Sequence, residues 1–116
     1  MDETLKKQLE ITACKVRLGI LEGVFNAKSG HPGGSLSIAD LLTYLYFAKM
    51  NVYPDKPEEP ERDRLVLSKG HTAPALYATL AEKGFFPKEE LKSLIATTEK
   101  QVYDSQRSVK QAQIGL

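Results

Sequence analysis

The sequence predicts an α/β protein, mostly helical, with about one short central strand. Three observations carry this. Long stretches repeat their apolar residues at steps of three and four, the spacing of a helix face. One apolar run, Arg64-Leu65-Val66-Leu67-Ser68, is too short for a helix of its own and reads as a buried strand. Glycine-containing turns, each with a histidine, stand at junctions between elements, where α/β folds hold their ligands.

The first element spans residues 5–27 and carries two apolar stripes. Leu5, Leu9, Ala13, Val16, Ile20, Val24 and Ala27 share one face, and Ile11, Cys14, Leu18, Leu21 and Phe25 share a nearly opposite one. A helix apolar on two sides is a central core helix or lies at an interface, and the core reading is the simpler. The pattern then breaks at Ser29-Gly30-His31-Pro32-Gly33-Gly34. A second helix follows, with Ser37 as N-cap and Asp40 as the acidic half of a capping box. Ile38, Leu41, Leu42, Leu45 and Ala48 form its expected buried face.

Residues 51–63 read as a solvated connector, because Pro54, Pro57 and Pro60 forbid a continuous helix and the intervening acids forbid burial. After the predicted strand, Ser68-Lys69-Gly70-His71 leads into a helix with Thr72 as cap, Pro74 in the first turn and Gly84 as its stop. Another helix begins near Pro87, with Leu91 and Leu94 facing inward. Residues 95–116 are more polar and read as a tail, either a weak helix from about Glu99 to Gln113 or disordered.

Composition bounds the function. A chain of 116 residues is enough for one domain with its own core. A formal net charge of +1 and the absence of Trp give no reason to expect nucleic acid or an anionic membrane as partner. The single cysteine, Cys14, excludes an internal disulfide, and its apolar neighbours predict a packing role. Neither a secretory signal nor a bilayer-spanning stretch is found, so a cytoplasmic protein is expected.

The two histidine turns carry the chemistry. Glycines let backbone amides come close to a ligand, and each turn adds an imidazole able to donate, accept or carry a proton near neutral pH. His71 sits where free amides at a helix start can meet an anion, and Lys69 adds a positive charge. His31 follows the same logic between two helices. Taken singly, each turn is better read as a structural connector, and it is the occurrence of both histidines in glycine-containing turns that favours function. Two histidines and one distant cysteine make no zinc site, and there is no Walker loop or G-x-G-x-x-G fingerprint.

Three stretches in order, Lys28-Ser29-Gly30-His31-Pro32-Gly33-Gly34-Ser35-Leu36-Ser37, Arg62-Asp63-Arg64-Leu65-Val66-Leu67-Ser68-Lys69-Gly70-His71 and Ala73-Pro74-Ala75-Leu76-Tyr77-Ala78, resemble the start of a transketolase. The Lys69 variant and the Ala-Pro-Ala-Leu-Tyr stretch are most similar to bacterial and archaeal N-terminal subunits encoded separately from the rest. The resemblance implies a truncated fragment of the thiamine-diphosphate-binding fold in residues 1–94, with 95–116 as a divergent tail. It also implies two-carbon ketol transfer between sugar phosphates, with thiamine diphosphate and Mg2+ as cofactors.

On that resemblance His31 and Ser29 meet the substrate, and His71 and Gly70 meet the cofactor diphosphate. The two histidines would be catalytic, through hydrogen bonding and proton relay around a developing oxyanion. The family's metal-holding Gly-Asp-Gly…Asn motif has no counterpart here, for no Gly-Asp dipeptide occurs. The chain is therefore expected to assign no metal ligand, to be inactive alone, and to need a completing subunit or to form a homo-oligomer. The alternative is a non-catalytic interaction or oligomerisation module derived from the same fold.

Overall fold

A computed structural model describes residues 1–28, 32–98 and 100–101. Helix α1 runs over Glu3–Ala27. The Asp2 side chain caps its start by accepting from the Leu5 amide at 2.7 Å, and Lys28 ends it in a left-handed conformation at φ 56°. One predicted stripe faces inward: Ala13, Val16 and Ile20 are buried, and Leu5, Leu9, Val24 and Ala27 are partly so. The other faces solvent, with Phe25 82% exposed. The helix thus contributes one face to the core and is not sandwiched between two layers. Cys14, expected in packing, is exposed as well.

Helix α2 already begins at Pro32 and runs to Ser37, within the stretch expected to be loop. Proline suits a first turn because its missing N–H would be unpaired there. Helix α3, Ala39–Tyr44, follows after a break at Ile38 and continues as a wider π turn over Leu45–Lys49. Ser37 does not cap it. The Ser37 hydroxyl donates instead to the Gly34 carbonyl at 2.8 Å, and Asp40 pairs with Arg17 on α1. Leu42 and Tyr46 are buried in this region, whereas Leu41 and Ala48 are exposed.

The connector lies on the surface and is clasped at its base. The Asn51 amide donates to Asp63 Oδ2 at 2.7 Å, and the Asp63 amide returns a bond to the Asn51 carbonyl at 2.8 Å. No strand occurs among the described residues. The Arg64–Ser68 run, read from sequence as a buried strand, leaves Val66 88% exposed. A strand needs a neighbour to complete its ladder of backbone bonds, and this segment has none among the described residues.

A 3-10 turn over Gly70–Thr72 opens helix α4, Ala73–Lys83. Gly84 closes α4 at φ 105°, its N–H reaching the Leu80 and Ala81 carbonyls, as the sequence predicts. A second 3-10 turn, Lys88–Glu90, leads into helix α5 over residues 91–98. Ile95, set at the edge of the polar tail by its sequence context, is fully buried. It lies against Gly23, where an added Cβ would fall on Ile95 Cδ1. The core is therefore α1 packed against α3, α4 and α5 through Val16, Ile20, Leu42, Ala78, Leu91 and Ile95. Apart from residues 100 and 101, the stretch expected to form a tail helix lies outside the described residues. No helix among the described residues is long and apolar enough to cross a membrane.

Candidate functional site

The His71 turn meets Gly34, which closes the first glycine-rich stretch. A Cβ at this position would stand 2.9 Å from Thr72 Cγ2 and 3.5 Å from His71 Nε2. Only a residue without a side chain lets the turn before α4 lie this close to α2. Thr72 fixes the turn from within. It is fully buried, its hydroxyl donates to the Lys69 carbonyl at 2.7 Å, and its amide donates to the same carbonyl at 2.9 Å. The sequence suggests Thr72 as a simple helix cap; its side chain instead locks the Lys69–Thr72 turn and seats it against α2.

His71 is thereby held at the surface beside α2, with its ring exposed and Lys69 exposed two residues before it. Gly70 and Gly33 stand against open space, with nothing among the described residues within 4 Å of where a Cβ would be. The start of α4 adds the positive end of a helix dipole to the same neighbourhood. Ser35, one residue from Gly34, is fully buried, and its hydroxyl has no hydrogen-bond partner among the described residues. Sequence reasoning passed over Ser35, since a serine in a Gly-Gly-Ser run reads as loop chemistry; its burial is visible only once α2 is folded.

Of the four residues singled out from the sequence, the structure describes His71 and Gly70 and places both in this turn. Ser29 and His31 lie outside the described residues. The contact between Gly34 and His71 nevertheless joins the segment that follows His31 to the second histidine turn.

The described donor set suits one kind of group and not another. An imidazole, an ammonium and an open glycine turn at a helix start fit an anion such as a diphosphate. A divalent cation prefers a cage of oxygen ligands, and no group of three or more His, Cys, Asp or Glu side chains among the described residues could hold one. The described residues thus suit the anionic end of thiamine diphosphate, and no metal-holding cluster of His, Cys, Asp or Glu occurs among them.

Comparison with known proteins agrees with the geometry. Residues 8–102 match the family described as "Transketolase, thiamine diphosphate binding domain". The chain is 53% identical over 81 residues to an apulose-4-phosphate transketolase subunit of Phocaeicola vulgatus, covering 70% of this chain and 29% of that protein. It is 54% identical over 86 residues to the 6-deoxy-6-sulfo-D-fructose transketolase subunit SqwG of a Clostridium species, covering 74% of this chain and 31% of the relative. Human transketolase is 40% identical over 93 residues, which cover 80% of this chain and 15% of the human protein. The chain therefore spans under a third of the length of the subunits it resembles. With both histidine turns inside a match that takes in most of its length, this chain belongs to the transketolase family.

Proposed function

We propose that the chain forms the amino-terminal part of a thiamine-diphosphate-dependent transketolase that moves a two-carbon ketol unit between sugar phosphates in the cytoplasm. It is inactive alone and acts together with a completing subunit. The observation that carries this reading is the seating of His71 against Gly34, which sets the second histidine turn beside a glycine three residues beyond His31 in sequence. The names of the bacterial relatives, each a subunit of its transketolase, support an enzyme divided between chains.

When bound, thiamine diphosphate supplies the electron sink for carbon–carbon bond exchange. The chain's own residues position and protonate. Gly70 leaves room for the diphosphate, Lys69 offsets its charge, and His71 donates to a diphosphate oxygen. His31, with Ser29, meets the sugar, where its imidazole holds or moves a proton at the carbonyl oxygen and adjoining hydroxyl. Ligands for magnesium come from the completing polypeptide.

The test uses the purified chain, alone and mixed with a polypeptide comprising the part of the Phocaeicola vulgatus subunit that the match leaves uncovered, together with that enzyme's other subunit. Thiamine diphosphate and magnesium are titrated in by calorimetry, and ketol transfer is followed in a coupled assay. The expected outcome is no turnover by the chain alone, cofactor-dependent turnover by the mixture, and at least a tenfold loss of turnover in the mixture on His71→Ala, within the usual range for a positioned acid–base group. Robust turnover by the chain alone overturns the need for completion. Absence of cofactor binding in both samples overturns the cofactor reading.

A further inference from the structure

A cleft of about 320 Å3 opens between the first half of α1 and α3. Leu9, Ala13 and Tyr44 give it apolar walls, and Cys14 and Arg17 stand on its α1 side. Both helices belong to this chain and pack against each other, so the cleft needs no further polypeptide to form. Cys14 is exposed, and Arg17 Nη2 donates to its Sγ at 3.5 Å while Nη1 is held by Asp40. A guanidinium fixed beside the sulfur of an accessible cysteine is the setting in which thiolates react selectively.

A second observation comes from the α3 side. Thr43 lines the same cleft and is 1% exposed, and its hydroxyl has no hydrogen-bond partner among the described residues. Threonines inside helices commonly return the hydroxyl to the carbonyl one turn back. Thr79 does so to Ala75 at 2.8 Å, and Thr97 to Ser93 at 2.9 Å. Thr43 does not, and a buried hydroxyl is costly to leave unpaired. Lys6 and Glu10 also line the cleft, one turn apart on α1, and neither is in an ion pair among the described residues. They offer an ammonium to a carboxylate and a carboxylate to an ammonium. The remaining carboxylate, Asp40, is taken up by Arg17. A zwitterion carries partners for both free charges, whereas a singly charged molecule leaves one of them unmatched.

We infer that Cys14 is a site of reversible thiolation whose co-substrate is the disulfide of a small zwitterionic thiol of the amino-acid class. The ammonium and carboxylate of one half lie against Glu10 and Lys6, Thr43 donates to the carboxylate, and the sulfur of that half faces Cys14. The Cys14 thiolate attacks this sulfur. A new Sγ–S bond forms as the old S–S bond breaks, and the other half leaves as a thiolate that takes a proton from water. The small disulfide is therefore the oxidant, and excess free thiol reverses the exchange. The site is separate from the His71 turn, and its failure leaves the cofactor reading untouched.

The test follows the mass of the intact full chain with L-cystine, with cystamine, which lacks carboxylates, and with dithiodiglycolate, which lacks ammonium groups. Each rate is divided by that of the urea-unfolded chain, so that intrinsic differences between the reagents cancel. The native chain should gain one half-cystine on Cys14, its single cysteine, and lose it to dithiothreitol. Its rate ratio with cystine should be roughly tenfold above those with the two singly charged disulfides. Arg17→Gln should cut the cystine ratio about tenfold. Asp40→Asn breaks the same ion pair but leaves the guanidinium on the sulfur, and should not lower that ratio. Thr43→Val should lower it severalfold without lowering the urea midpoint, because a methyl replaces an unpaired hydroxyl. Equal ratios for the three disulfides overturn the inference. So does a native chain that reacts with cystine no faster than the unfolded one, or one indifferent to Arg17→Gln.

Discussion

Exchanging a methyl group between Gly23 and Ile95 tests whether α5 is locked into the core. Alanine at an ordinary solvent-facing helix glycine stabilises by about 1 kcal/mol through helix propensity. At Gly23 the new Cβ falls on Ile95 Cδ1, inside a contact where both residues are buried. Overpacking of this kind costs about 1–3 kcal/mol, so Gly23→Ala should lose roughly 1 kcal/mol net. Ile95→Val removes the same Cδ1 and should lose about 1 kcal/mol for the deleted methylene. Combined, the two changes move the methyl from one helix to the other: Cγ1 of residue 95 stays at the ordinary distance of 3.4 Å, and alanine keeps its propensity gain. The double variant should therefore return close to the parent, where simple addition predicts a loss of roughly 2 kcal/mol. Urea unfolding with unchanged slope reads the difference directly. A stabilised Gly23→Ala, or a double variant that equals the sum of the singles, refutes the packing of α5 against α1.

Three further outcomes follow from the site and the core. Thr72→Val keeps the methyl against Gly34 and removes the hydroxyl bond to the Lys69 carbonyl, so urea titration should show a loss of about 1 kcal/mol. Gly34→Ala should push the Gly70–Thr72 turn away from α2, costing about 1–3 kcal/mol and shifting the NMR signals of the His71 ring; unchanged signals would count against the contact. Tyr46 is buried, and the loss of hydration raises its phenol above the ordinary value. The folded state then holds the phenolic proton that the unfolded chain releases near pH 10, so stability is complete below that value and falls as pH rises past it. Tyr46→Phe should flatten the alkaline slope in denaturation curves; an identical slope in both proteins would dismiss the effect.

Helix signals survived translation from sequence to structure best where a local cap backed the periodicity. Gly84 stops α4 through its left-handed backbone, as its turn signal predicts, whereas the Asp2 cap that starts α1 two residues before the predicted helix went unread. The inner stripe of α1 was equally legible, because one turn of a helix fixes which residues face together. The outer stripe was not: periodicity says that a face is apolar but not what covers it, and solvent covers Ile11, Leu18 and Phe25. Ser37 and Asp40 have the spacing of a capping box, yet Arg17, 23 residues away, takes the carboxylate. The Arg64–Ser68 run has the composition of a strand and finds no partner to pair with among the described residues, which no local pattern reveals. At the site, His71 and Gly70 could be named from the turn itself. Their neighbour Gly34 could not be placed, because that contact joins segments nearly forty residues apart.

The pair of backbone and carboxylate bonds between Asn51 and Asp63 has a practical consequence. With its two ends tied together, the Pro54–Pro60 excursion leaves and rejoins the fold at one point. A foreign peptide spliced into its exposed tip should lengthen the loop at little entropic cost for each added residue, beyond the loss of one local turn bond. That makes this excursion the natural place to attach a reporter away from the His71 turn.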